Sequence, residues 1–158
     1  MKICNKEYED KLKQYIDRNG VSAKHYIFDE TCHSVQEAAS AANASPEKFI
    51  KSICMLKPDG ELVVAIVKGE DRASTSRVAK ALGVDEAKIA SPEEILEKTG
   101  YICGGVPAFG YEAVYLIDPK VMDMDMIFTG GGSPYSLLEI SAKEMYRLNN
   151  GQVVRIRR

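Results

Sequence analysis

The stretch Phe49–Gly69 constrains this chain more than any other. Two apolar runs, FIKSICML and ELVVAIVKG, flank Pro58-Asp59-Gly60. Proline presets φ, aspartate bonds its own backbone two residues on, and glycine tolerates positive φ, so the segment predicts a β-hairpin. In the first run Phe49, Ile53 and Met55 alternate with Ile50, Cys54 and Leu56, which makes both faces apolar. Such strands belong in the middle of a sheet that is covered on both sides. Lys51 breaks the pattern, on the face of Phe49, Ile53 and Met55. A buried, unpartnered ammonium is costly. Either Lys51 snorkels to water near the strand's start or it serves a site, and position alone leaves both readings open.

At 158 residues and a net charge of −2, the chain suits one domain, 1–158, burying roughly 70% of its unfolded surface. That charge excludes a general polyanion binder and confines any nucleic-acid contact to a local patch. Arg72, Arg77 and Lys80, just after the hairpin, are candidates for one; a solvated helix face explains them equally well. No apolar run spans a bilayer and the first residues lack a signal-peptide core, so a cytoplasmic protein without a membrane partner is expected. Cys4, Cys32, Cys54 and Cys103 show no CxxC spacing and have only His25 and His33 beside them. Neither a metal site nor a cofactor is expected from that set.

The remaining elements follow from spacing and caps. Asn5–Arg18 reads as an amphipathic helix stopped by Asn19-Gly20, and residues 25–28 as a short strand. Ser34 with Glu37, and Ser141 with Glu144, predict capping boxes, while Ser91-Pro92-Glu93-Glu94 is a strong helix start. Helices over 74–82 and 141–149, strands over 88–90, 113–118, 126–132 and 135–140, and an edge strand with Arg155 and Arg157 outward complete the chain. Strands and helices intermingle without strict βαβ alternation, which predicts an α+β fold with a mixed, strongly curved sheet.

Three features could converge on a site: Lys51, the run Gly104–Gly110 (GGVPAFG), and Gly130-Gly131-Gly132-Ser133. Glycine admits a ligand close to the backbone and frees N–H groups to point at a developing oxyanion. Neither run is a phosphate loop, and no nucleophile elbow or Cys–His pair can be assembled.

The series VQEAA, FIKSICML, DGELVVAIVKG, TGYICGGVPAFG, VYLID and TGGGSPYSLLEIS, collinear from about residue 33 to 148, resembles the YbaK/ProX family of prolyl-tRNA-editing, trans-acting aminoacyl-tRNA deacylases. The resemblance implies a single α+β domain with a mixed, curved, barrel-like β-sheet flanked by helices, and a freestanding hydrolase that cleaves the ester of a mischarged tRNA, commonly tRNA(Pro), in translation quality control. Its partners would be the tRNA 3′ acceptor end and an aminoacyl-tRNA synthetase. Lys51 matches the family's essential lysine, and Gly104, Gly105 and Gly110 match the loop that closes over the aminoacyl group, with Val106, Pro107, Ala108 and Phe109 between them. Gly105 is then expected to border the aminoacyl group, so that a methyl there blocks larger substrates first. Ser52 lies where relatives sort substrates, Gly131 in the late glycine turn, and Asp118 at the acid ending the preceding strand. For His33, beside the capped helix start, an orienting or solvent role and catalysis stand equally open, and the resemblance implies that a ribose hydroxyl of the substrate orients or activates the water. Where many relatives read PPFG or SPLG, this chain has Pro107-Ala108-Phe109-Gly110; Ala108 replaces a proline, which restores a backbone N–H and leaves less bulk, so amino-acid preference does not transfer. The alternative is a non-catalytic binding module of the same fold, holding an aminoacyl-like ligand, a tRNA end or a protein.

Overall fold

The hairpin forms as its turn chemistry dictates. The computed structural model describes residues 5–29, 31–32 and 34–158, so Cys4 and His33 lie outside the described residues. At the turn, Asp59 Oδ1 accepts from Glu61 N (2.9 Å), Gly60 takes φ +88°, and Lys57 N donates to Glu61 O (3.0 Å). Strands β2 (Ile50–Leu56) and β3 (Leu62–Lys68) then pair antiparallel from Leu56↔Leu62 to Ile50↔Lys68.

Every residue of β3 except Lys68 is buried, which is why the sequence shows no polar face there. Leu62, Val64 and Ile66 pack with Leu12, Ile95 and Met145, while Val63, Ala65 and Val67 pack with Val78, Ala79 and Ile156. Burying one such side chain contributes roughly 1.5–3 kcal/mol, so the two-faced packing is a main source of stability. The first face is covered by helices α1 (Asn5–Arg18), α4 (Pro92–Thr99) and α6 (Ala142–Asn149), the second by α3 (Thr75–Leu82).

The sheet is mixed. Beside β3 runs β5 (Val114–Ile117), parallel to it, and beside β5 runs β8 (Gln152–Val153), also parallel. On its other side β2 meets the two-residue β4 (Lys88–Ile89), which pairs only with Met55 and Leu56. A second, antiparallel sheet has the order β1 (Ala23–Ile27), β7 (Ser136–Ser141), β6 (Met126–Gly130). The expected barrel is therefore two sheets that do not close. Their side chains share one core, but among the described residues their backbones pair at a single parallel bridge, Phe49↔Phe128, whose rings stack with centroids 4.8 Å apart. Beyond the bridge, the edge of β2 away from β3 is paired again only at β4, and the interval between is open.

Local rules account for most element ends. At Ser91 the capping box is complete, with Ser91 Oγ accepting from Glu94 N and Glu94 Oε1 accepting from Ser91 N. The two expected boxes are half formed. Ser34 caps Glu37 N at the start of α2 (Val35–Ala42), yet Glu37 accepts from Thr31 Oγ1; Ser141 caps Glu144 N, yet Glu144 accepts from Ser22 N and pairs with Arg147. The preceding loop in the first case, and a residue 122 positions away in the second, outcompete the helix's own first turn.

The end of the chain also departs from the strand pattern. β8 stops at Val153, and Arg157 turns inward to Asp118, with Nη1 2.8 Å from Oδ1. Arg155 stays exposed as expected. Asp118 is fully buried and caps the short helix α5 (Pro119–Met122).

Candidate active site

The open interval along β2 is a cavity of about 360 Å³. Its floor is β2 from Ile50 to Cys54; the start of α2, residues 89–95, the loop at Cys103–Val106 and the end of β6 form its walls. Most of the lining is aliphatic or aromatic, with Ser34, Ser52 and Thr129 the hydroxyls among it. Concave, mainly apolar spaces with few polar groups are how small-molecule sites are built.

The hairpin register decides what β2 offers. Phe49 O accepts from Gly69 N and Lys57 N bonds Glu61 O, so odd-numbered residues of β2 direct their peptide groups at β3. Even-numbered residues direct theirs to the opposite edge. There Cys54 O takes Ala90 N (2.9 Å), and the peptide groups of Ser52 point toward the cavity between β6 and β4. The side-chain oxygen of Ser52 is enclosed and has no hydrogen-bond partner.

Lys51 is half-buried in the cavity wall, and its Nζ donates to the Asp71 carbonyl (2.9 Å). Among the described residues it has no carboxylate partner within salt-bridge distance. It does not run freely to water: the loop after β3 holds it at the rim. Among the described lining residues there is no carboxylate and no histidine. Cys54 is no nucleophile either, because burial, helped by nearby Cys103, pushes its thiol up to about 12.

The two glycine runs do meet, but backbone against backbone. Gly132 N donates to Gly105 O (2.8 Å), and a Cβ on Gly105 would lie 2.5 Å from the backbone of Ser133. A Cβ on Gly130 would strike Val106 O, and one on Gly131 would lie 2.5 Å from Leu137 N. This close packing leaves Gly104, Val106 and Gly130 on the cavity wall. Gly105 and Gly131 are buried outside the lining. A methyl on Gly105 therefore meets Ser133 rather than the cavity.

The other expected site residues form the frame. Pro107 O accepts from Tyr111 Oη (2.7 Å), Ala108 O accepts from Asn149 Nδ2 (2.9 Å), and Phe109 packs on Tyr15 at 5.6 Å between ring centres. Gly110 turns the chain at φ +97°. Asp118 lies away from the cavity lining. Burial pushes its carboxyl up, but the N–H groups of Lys120, Ile156 and Arg157 and the Arg157 guanidinium outweigh that and hold it below the ordinary value.

Two residues that the pattern reading passed over hold the late glycine turn. His25 Nε2 lies 2.7 Å from Gly131 O, which fixes that nitrogen as the donor. Glu9, buried on α1, accepts from Ser133 Oγ (2.5 Å), and Ser133 in turn meets Ser136. The only sequence signal was an acid on the apolar stripe of α1, between Tyr8 and Leu12.

Set beside known proteins, this geometry has a family. Residues 29–148 match the family model of the aminoacyl-tRNA editing domain. The chain belongs to that family. It is 24% identical over 128 residues to the uncharacterized protein YwhH of Bacillus subtilis, covering 80% of this chain and 81% of that protein. It is 26% identical over 133 residues to the multifunctional Ser/Thr-tRNA deacylase ProXp-y of Escherichia coli K12, covering 80% and 78%. A crystal structure described as a candidate trans-editing enzyme for prolyl tRNA synthetase superposes with a TM-score of 0.86 at 23% identity, over 96% of this chain and 97% of that one. At that identity the superposition speaks for the shared α+β fold. Among the described residues no helix is long and apolar enough to cross a membrane, and no cluster of acids, histidines and cysteines is arranged to hold a metal ion.

Proposed function

We propose that this editing domain is a freestanding deacylase, which hydrolyses the ester between a wrongly attached amino acid and the terminal adenosine of a tRNA, tRNA(Pro) foremost. The observation that carries the reading is Lys51: a cation without a carboxylate partner among the described residues, fixed in the wall of an apolar cavity. Family membership and the Escherichia coli relative's named activity on Ser/Thr-tRNA support it.

In this reading the aminoacyl group enters the cavity and Lys51 holds the tRNA end beside the scissile ester. Water adds to the ester carbonyl carbon, and the oxygen that becomes anionic is met by the Lys51 ammonium and by backbone N–H groups of Ser52 and the Gly104 loop. Donors already in place cost no reorganisation, and in an apolar cavity they act more strongly than in water. The acyl–oxygen bond then breaks, the ribose oxygen leaves with a proton, and a free amino acid and an uncharged tRNA result. The described lining supplies no side-chain base, so the ribose hydroxyl beside the ester takes the water's proton or orients it, and the protein's share is positioning.

Loss of radiolabelled amino acid from a panel of mischarged tRNA(Pro) species tests this directly. At least one non-cognate ester should disappear at a protein-dependent rate that rises with enzyme concentration, while prolyl-tRNA persists. Tight binding of the same tRNAs without any release would overturn the enzyme and leave the non-catalytic module.

A further inference from the structure

Next to the cavity lies a feature that the reaction has not used. Residues 72–74 and 156–158 run antiparallel: Ser74 N donates to Ile156 O (2.7 Å), Arg158 N donates to Arg72 O (2.9 Å), and Ala73 pairs with Arg157. This short ribbon gathers three exposed arginines, Arg72, Arg155 and Arg158, within a few residues of one another. Among the described residues none of the three has a carboxylate partner. Of the neighbouring acids, Asp118 is taken by Arg157 and Glu70 by Lys68, while Asp71, just before Arg72, keeps a buried carboxylate oxygen without a hydrogen-bond partner.

The segment leading into the ribbon, residues 69–71, adjoins the cavity rim at two points. Lys51, in the wall, bonds the carbonyl of Asp71, the residue before Arg72. Gly69 sits so close to Val35, another wall residue, that a Cβ there would lie 2.8 Å from Val35 Cγ2. Uncompensated guanidinium groups beside one opening, in a chain of net charge −2, concentrate positive potential where a ligand enters. Guanidinium forks match phosphate oxygens in two-point geometry. None of residues 69–74 or 155–158 exposes a large apolar side chain, which argues against a lipid surface.

We propose that this arginine ribbon docks the phosphate backbone of an RNA duplex whose single-stranded 3′ end reaches into the cavity. The proposal rests on the deacylase reading and extends it from the ester to the acceptor stem.

The test combines Arg72→Gln, Arg155→Gln and Arg158→Gln, with thermal melting to confirm the fold. Two substrates are compared, a full mischarged tRNA and the aminoacyl ester of a CCA trinucleotide, which has no duplex. An uncharged acceptor minihelix is titrated by fluorescence anisotropy at several salt concentrations. KM for the full tRNA should rise about tenfold or more with kcat retained, and the trinucleotide ester should react as before. The slope of log affinity against log salt should flatten by about one unit per lost phosphate contact. An unchanged KM and slope, with the trinucleotide ester still cleaved, overturns the ribbon and leaves the deacylase standing. If the unaltered protein cleaves neither ester, the deacylase reading fails and the minihelix decides alone. Salt-dependent binding that the variant loses supports the ribbon, and equal binding by both proteins overturns it. Capture of phosphatidylglycerol vesicles by the unaltered protein, lost in the variant and without minihelix binding, would assign the ribbon to lipid and also overturn the proposal.

Discussion

Lys51, on β2, and Arg157, beyond the end of β8, are both half-buried cations. Their surroundings differ in kind. Arg157 reaches a fully buried carboxylate, Asp118, whose remaining lone pairs are filled by the N–H groups of Lys120, Ile156 and Arg157. Lys51 finds only a neutral carbonyl, that of Asp71, and faces an apolar cavity. A charge that exists to hold a fold is neutralised within the fold. A charge kept without a counter-ion costs stability and is retained where something outside the protein supplies the opposite charge.

The paired cation should give the larger effect on stability. Arg157→Ala leaves Asp118 buried with only its backbone donors, and should cost roughly 3 kcal/mol or more in a urea titration at neutral pH. The linkage has a definite sign. The Asp118 carboxyl is held below its ordinary value in the folded protein, so its contribution is complete above the unfolded value of about 4 and disappears as pH falls through the folded one. Urea midpoints should therefore decline below about pH 4, and the decline should be shallower in Arg157→Ala. Equal acid sensitivity in both proteins would mean that the pair contributes nothing.

Lys51→Ala should do the reverse. Removing a charge-stabilising donor costs roughly 10²–10³ in turnover at comparable sites. Stability should hold or rise slightly, because a half-buried charge without a counter-ion disappears. Full turnover by this variant would break the contrast, and so would a loss of stability matching that of Arg157→Ala.

Much of this was legible in the chain. The hairpin, its burial on both faces and the oddity of Lys51 all follow from side-chain alternation and turn chemistry, which are local. The convergence of the two glycine runs was legible as a pattern. Which glycine faces the cavity was not, because a residue without a side chain carries no directional signal. Gly105 and Gly131 turned out to be packing positions, and Gly104 and Gly130 the wall. Closure of the sheet was equally hidden. It depends on whether the edge of β2 finds a partner between Phe49 and Met55, and none of the alternation in FIKSICML encodes that. Arg157 was misplaced because period-two reasoning assumes that the strand continues; β8 ends at Val153, and a buried acid far away in sequence captures the arginine. Glu9 and His25 act through contacts spanning more than a hundred residues, Glu9 with Ser133 and His25 with Gly131, which no local window contains.

Ser52 offers the smallest effect and the finest test of the same contrast. Its hydroxyl oxygen is enclosed and without a partner, a polar counterpart to the uncompensated charge on Lys51 next to it. An unsatisfied buried hydroxyl costs about 1 kcal/mol or more, so Ser52→Ala should raise stability by up to about that amount. If the missing partner is the substrate, the same change should raise KM by roughly tenfold or less, the worth of one neutral hydrogen bond, and leave kcat nearly intact. The rise should appear for amino acids whose side chain or ammonium can reach the hydroxyl, and be absent for those that cannot. A variant that gained stability with no change in KM across the panel would make Ser52 a packing residue that merely borders the cavity. A variant that lost stability would show that the hydroxyl is satisfied within the protein. Either result would leave Lys51 as the one polar side chain of β2, among the described residues, held open for the ligand, beside the backbone groups of Ser52.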